Sequence, residues 1–341
     1  MMRRVLPALA AGALMPPLAA CDGPGGVELG HNWEGSKVFV LTEVSGLTTI
    51  TGIDPARHTA EPLAAVPTQS DDDDTASPQI TKTTNGRWIV TVPRKNGRPS
   101  RLYEVNTKDQ VLDALGTTEG GRVLIPAGGY LAAVGDKATS STGKATALVY
   151  DPATWQVKRD VTLPVNPGLA AGGTPGLCVG DNSDKGFTLA VVSPKNGTVK
   201  ALPQVPKTEA QALDCSTSRP LLAGGPTTTS TSTGTATLHL AKQGEIDVLT
   251  TSAGRIDRVT ADSTSITAAV SLPGHVELVE VDRSTGKERH RTRLDGMAAT
   301  DGMRKTGKHW VLTSGDSAVT VDLGHGKATA FTLPGQLLNA G

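Results

Sequence analysis

Val276-Glu277-Leu278-Val279-Glu280-Val281-Asp282-Arg283-Ser284-Thr285-Gly286 reads as a strand running into a tight turn. From Val276 to Val281 apolar and charged side chains alternate, which puts them on opposite faces of a sheet. Asp282 can accept backbone N–H groups of the turn, and Gly286 supplies the positive-φ position that closes a hairpin. The same junction recurs outward in both directions, as Gly52-Ile53-Asp54-Pro55-Ala56, Glu104-Val105-Asn106-Thr107, Val149-Tyr150-Asp151-Pro152-Ala153-Thr154, Val191-Val192-Ser193-Pro194, His239-Leu240-Ala241-Lys242 and Thr320-Val321-Asp322-Leu323-Gly324. Anchored at residues 54, 106, 151, 193, 241, 282 and 322, the copies are spaced by 52, 45, 42, 48, 41 and 40 residues.

Ahead of most junctions lies a run that is apolar nearly throughout, such as Trp88-Ile89-Val90, Tyr130-Leu131-Ala132-Ala133-Val134, Phe187 to Val192, Ile266 to Val270 and Trp310-Val311-Leu312. Such strands are covered on both faces. A doubly covered sheet repeating every 40 to 50 residues is the blade of a β-propeller, which stacks on two neighbours. The repeat resembles that of the YVTN/WD40-like seven-bladed propellers of exported bacterial proteins, and Asp282-Arg283-Ser284-Thr285-Gly286 carries the likeness best. No Trp is followed by Asp, so the paired Gly-His and Trp-Asp signature of true WD40 repeats is missing. The expected fold is therefore all-β, a seven-bladed β-propeller of four-stranded antiparallel blades over residues 27–337, with 338–341 a C-terminal tail.

Inner strands are expected at Pro78–Thr81, Arg122–Ile125, Gly176–Val179, Ala212–Cys215, Ile256–Val259 and Met297–Thr300, with Gly26–Leu29 supplying the first. On that register the chain begins with an inner strand and ends with an outer one, Ala328–Leu333. The ring would then close by packing alone.

The first 26 residues carry an address. Arg3 and Arg4 precede an apolar run from Val5 to Met15, which has the length of a secretory signal and is too short to span a bilayer. Leu18-Ala19-Ala20-Cys21 resembles the lipobox of bacterial lipoproteins. That resemblance implies cleavage of residues 1–20 as a lipoprotein signal peptide and acylation of Cys21, palmitate included. Residues 21–26 would be the lipidated cysteine and its tether, holding the chain on the extracytoplasmic face of the cell membrane. Arg3-Arg4-Val5-Leu6 also resembles a twin-arginine export core, so the export route stays open.

Loss of residues 1–20 leaves 31 basic against 33 acidic side chains, a net charge of about −2. Nucleic acid is not an expected partner, because phosphate binding needs a concentrated Lys/Arg face. Four Trp, three Tyr and three Phe leave little for a large aromatic binding patch. Trp33 and Trp155 are the first to inspect, Trp155 reading as packed between blades.

With Cys21 acylated, Cys178 and Cys215 remain, 37 residues apart at matching places in successive repeats. They read as a disulfide joining two inner strands in an oxidising exterior, or as two separately buried small residues. Asp71-Asp72-Asp73-Asp74 lacks the spacing of a calcium loop and reads as a solvated connection. Residues 227–235, all Thr, Ser and Gly, read as a low-complexity excursion. The seven histidines, at 31, 58, 239, 275, 290, 309 and 325, form no ligand pair. No metal or other cofactor is expected.

No Gly-x-Ser-x-Gly elbow occurs, and no catalytic residue is assigned. Asp214, Asp257, Arg258 and Asp301 lie at or beside expected inner strands and are the candidates for lining a central channel. The expected role is a non-catalytic binding or scaffold module for a protein, glycan or small-molecule partner. The alternative is a channel-centred enzyme, lactonase-like or quinoprotein-like, which would gather perturbed carboxylates or Arg at one channel mouth.

Overall fold

A computed structural model describes residues 27–67, 77–94, 98–119, 123–135, 145–226, 235–242 and 245–340. The opening stretch forms β23 (His275–Asp282) and β24 (Glu288–Asp295), joined by the expected turn. Asp282 Oδ1 accepts the N–H groups of Ser284 and Thr285, both at 2.9 Å, and the Ser284 hydroxyl at 2.6 Å. The Ser284 hydroxyl, then Arg289 and those N–H groups, hold the Asp282 carboxyl far below the usual carboxylate range. Four residues after the anchor, φ is positive in nearly every copy: His58 56°, Gln110 58°, Trp155 57°, Gly197 75°, Gly286 70° and Gly326 61°. The turn geometry is thus common, although only half of these copies carry the glycine that adopts it without strain. Gln110 is exposed, so Gln110→Gly is expected to stabilise the fold by about 0.5–1 kcal/mol. A denaturant midpoint that falls would count against this.

The strands assemble into antiparallel sheets, each a consecutive stretch of chain apart from one closing strand. β1 (Val38–Val44), β2 (Leu47–Asp54) and β3 (Thr59–Ala65) form the first. The next contain β4 (Gln79–Lys82), β5 (Trp88–Val92), β6 (Ser100–Asn106) and β7 (Val111–Thr118), then β8 (Val123–Ala127), β9 (Tyr130–Gly135), β10 (Thr146–Tyr150) and β11 (Val157–Thr162). β12 (Leu169–Gly173), β13 (Gly176–Ser183), β14 (Gly186–Val192), β15 (Val199–Ala201) and β16 (Val205–Pro206) share one sheet. β17 (Thr208–Asp214), β18 (Leu221–Pro226), β19 (Thr235–Lys242) and β20 (Glu245–Ala253) follow. β21 (Arg255–Ala261) and β22 (Ser265–Leu272) pair with β23 and β24, and β25 (Gly302–Thr306), β26 (His309–Ser314), β27 (Ser317–Asp322) and β28 (Lys327–Thr332) complete the series.

The architecture is a β-propeller. Among the described residues six of its sheets have four strands, and the sheet of β12 to β16 has five. Four strands throughout was the expectation; here the outer edge is split, β15 pairing one end of β14 and β16 the other. Pro203 and Pro206 stand at the break and bring no N–H to a ladder.

The core lies in the seams between sheets. Val311 and Ala318 pack with Phe39, Leu41 and Ile50 of the first sheet, and these with Trp88 and Val90 of the next. Ile89 and Leu102 meet Leu131 and Leu148; Ile125 and Val134 meet Leu177 and Val179; Phe187 and Leu189 meet Ala210 and Leu222. Leu221 meets Ile256 and Ile266, and Leu278 meets Trp310 and Leu312. Contact of β28 with β3 brings the last sheet back to the first.

Four of the expected inner strands overlap β4, β8, β17 and β21, but three expectations fail. Gly176–Val179 opens β13, the second strand, and the inner strand is β12. Its Ala170-Ala171-Gly172-Gly173 has no apolar signature because it is squeezed: a Cβ on Gly172 would lie 1.9 Å from the Pro126 carbonyl oxygen of the neighbouring sheet. Phe187–Val192 is correspondingly the third strand, β14. Met297–Thr300 precedes the inner strand β25. Of the expected first inner strand Gly26–Leu29, residues 27–29 are described and give no strand, Glu28 making only an isolated bridge, and the inner position of the first sheet belongs to β29 (Gln336–Asn339). β29 pairs with β1 through Leu41–Asn339, Thr42–Leu337 and Glu43–Gln336. The ring closes through a shared strand, and Leu338 and Asn339, expected in a tail, belong to it.

Candidate functional site

Of the four residues expected to line a channel, Asp257, Arg258 and Asp301 meet at one seam, largely through backbone groups, and Asp214 lies at another. Asp214, at the end of β17, is buried; desolvation raises its pKa, against the hydroxyls of Ser216 and Thr260 and the charge of Arg283. Its Oδ2 accepts Ser216 Oγ at 2.6 Å, and the same hydroxyl reaches the Ala261 carbonyl of the next sheet. Asp257, in β21, is also buried and accepts Arg255 Nε at 2.7 Å, the Ser271 hydroxyl and the Thr300 N–H at 2.8 Å. Arg258 grips the Asp301 carbonyl with Nε at 3.1 Å and Nη2 at 2.6 Å. Asp301 is exposed and its Oδ2 accepts the Gly315 N–H at 3.3 Å. These groups latch neighbouring sheets together, and their polar capacity is spent on backbone and hydroxyl partners.

Cys178 and Cys215 are joined in a disulfide, with their Cα atoms 5.8 Å apart. Cys178 lies on β13, a second strand, and Cys215 just past the inner strand β17, so the bond crosses a seam without linking two inner strands. Trp33 is buried; Trp155 packs between the sheets of β4–β7 and β8–β11, with the Arg87 guanidinium 5.5 Å from its ring centroid. Cys21, the 1–20 signal, the 22–26 tether and Asp71–Asp74 lie outside the described residues, as does all of 227–235 but its last position.

A further gathering of charged side chains lies on the face where the inner strands β4, β21 and β25 end. A cavity of about 180 Å³ opens there between four sheets. Its floor is the Trp88 ring. Lys82 is the cross-strand partner of Trp88, and its Nζ lies 5.4 Å from the ring centroid. Arg304, from β25, brings its Cζ to 5.8 Å from the same centroid. β29, the inner strand between these two sheets, is only four residues long. A second Lys-Trp pair repeats the device on the opposite wall, Lys305 Nζ lying 5.4 Å from the Trp310 centroid.

The charges are unbalanced. Among the described residues neither Lys82 nor Arg304 has an ion-pair or hydrogen-bond partner, and Arg304 Nε is sealed from solvent with none. Desolvation lowers the pKa of Arg304; desolvation, then the charge of Arg304, lowers that of Lys82. The cavity's one carboxylate, Asp262, is committed already. Partial burial would raise its pKa, but the N–H and hydroxyl groups of Thr264 and Ser265 outweigh burial and bring it to about 2. Its Oδ2 also sits 3.5 Å from Lys305 Nζ.

The sequence reading missed Arg304 and Lys305 because the inner strand of their sheet was placed at Met297–Thr300, and it missed Lys82 and Asp262 because they lie just beyond the expected inner strands 78–81 and 256–259. A legible signal existed: Lys82-Thr83 and Lys305-Thr306 end corresponding inner strands, and Trp88 and Trp310 follow across the hairpin.

No protein-family model matches the chain, and no curated protein matches its sequence. Solved structures do resemble it. A candidate 6-phosphogluconolactonase of Bacteroides fragilis superposes with a TM-score of 0.58 at 11% identity, over 88% of this chain and 96% of that one. Its counterpart from Bacteroides uniformis gives 0.58 at 12% identity, over 88% and 97%. The β-propeller domain of Myceliophteria thermophila Cps50 (Swd1) gives 0.52 at 12% identity, over 75% and 86%. At such identities the likeness is one of fold.

Proposed function

We propose that this chain is a lipid-anchored, extracytoplasmic binding module, a seven-bladed propeller in which the five-stranded sheet is the remaining blade, and that it takes a small ligand in the Trp88 cavity. One observation carries the reading: the cavity gathers cations and two tryptophans from several sheets, while Asp262, its one carboxylate, is locked in a turn with a pKa of about 2. A general base works best with a pKa near the working pH and a free lone pair. Asp262 has neither. The enzyme alternative required perturbed acids converging on one mouth, and Asp214 and Asp257 are instead consumed within seams.

The anchor follows from Leu18-Ala19-Ala20-Cys21, and the tether of about five residues, at roughly 3.5 Å each, holds the ring within about 20 Å of the lipid. Crosslinking in native membranes, run beside assays of lactone and alcohol turnover, tests both parts. The expected result is a captured partner or ligand, no turnover, and release of folded protein into the soluble extracytoplasmic fraction on Cys21→Ser. Turnover without a captured partner would overturn the binding reading, and membrane retention of Cys21→Ser the anchor.

A further inference from the structure

We infer that the Trp88 cavity binds a small phosphate-bearing molecule, its dianionic group held between Arg304 and Lys82. The inference rests on the binding reading above and names the chemistry of its ligand. Two cations are brought within 6 Å of one ring centroid from two different sheets, although like charges repel and neither has a counter-charge among the described residues. A guanidinium whose Nε is sealed and unpartnered is destabilising as it stands, since a buried charge needs a partner. The arrangement is at rest only when an anion supplies what the protein does not.

Charge and size choose among anions. Lys82 and Arg304 together carry two positive charges without a counter-charge; Lys305 is paired with Asp262, and Lys37, the fourth cation of the lining, turns its Nζ to the Glu34 carbonyl at 2.6 Å. A phosphate monoester carries about −1.5 to −2 at neutral pH, whereas a carboxylate carries −1 and would leave the site cationic. The planar guanidinium presents N–H groups in a fork that matches two phosphate oxygens, and the lysine acts as a point charge. At about 180 Å³ the cavity has room for roughly six waters' worth of ligand, so the phosphate belongs to a small molecule and not to a polymer. Trp88 and Trp310 offer apolar wall for the remainder of that molecule.

The test is calorimetric titration of inorganic phosphate into the full chain in detergent, at fixed ionic strength, with acetate and chloride as controls. Saturable one-to-one binding of phosphate is expected, with sulfate competing and acetate silent. Arg304→Gln and Lys82→Gln should each weaken it at least tenfold. Arg304→Lys, which keeps the charge and loses the fork, should fall between. The unfolding midpoint of ligand-free Arg304→Gln should be unchanged or raised; a large fall would make Arg304 a structural residue and overturn the assignment. Phosphate binding that ignores both substitutions, or that acetate matches, would overturn it too. A different ligand captured in the cavity with no phosphate response would remove the phosphate assignment and leave the binding module standing.

Discussion

Replacing both Cys178 and Cys215 by Ala is expected to lower the unfolding free energy by about 4 kcal/mol, the chain-entropy value for a cross-link across 37 residues. In a chain of this length that is about 6 °C in Tm. The seam explains why the loss should be felt in full. β12 presents Leu169-Ala170-Ala171-Gly172-Gly173, so little apolar bulk reaches the neighbouring sheet from the inner strand. The outer edge of the same sheet is broken between β15 and β16. Between them both cysteines are fully buried among Phe187, Leu189 and Leu222. Guanidinium unfolding with and without reductant is the measurement: wild type in reductant should converge on the double variant. A difference under about 1 kcal/mol would show that the seam holds by packing alone.

Removing residues 336–341 should cost more, about 6–8 kcal/mol, and should cost cooperativity with it. The deletion strips the ladder from β1, where three register pairs are worth about 1 kcal/mol each. It also removes Leu337 and Leu338 from the largest core cluster and Ala340 from its place beside Gly302, about 2–3 kcal/mol more. Asn339 Oδ1 accepts the Ile80 N–H at 3.0 Å, tying the first sheet to the second, and that link goes as well. The bare edge of β1 is then free to pair with another chain. Scattering should show oligomers, and the thermal transition should broaden. Asn339→Ala, which keeps the strand, should lose only about 1–2 kcal/mol and stay monodisperse. A truncated chain that unfolds sharply at the wild-type midpoint would show that β29 is an ornament.

The sequence was most legible where local chemistry repeats. All seven junction anchors from Asp54 to Asp322 stand at or beside the end of a third strand, and at Asp54, Asn106, Asp151 and Asp282 the side chain accepts turn N–H groups, a short-range device that a copy solves for itself. Inner strands were harder. At the centre of the ring the backbones crowd, so Ala and Gly replace the alternating apolar residues by which a strand is recognised, as in β12. β29 was illegible for another reason: its partner lies some 300 residues upstream, and no local pattern announces a pairing of that range. The cavity inherited both difficulties. Arg304 and Lys82 belong to sheets on either side of that closing strand, and both reach the same Trp88 ring.

The split edge formed by β15 and β16 carries a consequence for life at high concentration. A propeller ends each sheet in an outer strand whose free N–H and C=O groups invite another sheet to add on. β24 answers with charge, its Arg289, Arg291 and Arg293 paired to Asp282, Glu288 and Asp295. The sheet of β12 to β16 has few charges to offer, and its rim is interrupted after Ala201 instead. A docking strand would find only three residues in register before the template fails. Crowded side by side, such rings would slide past one another at this interrupted rim.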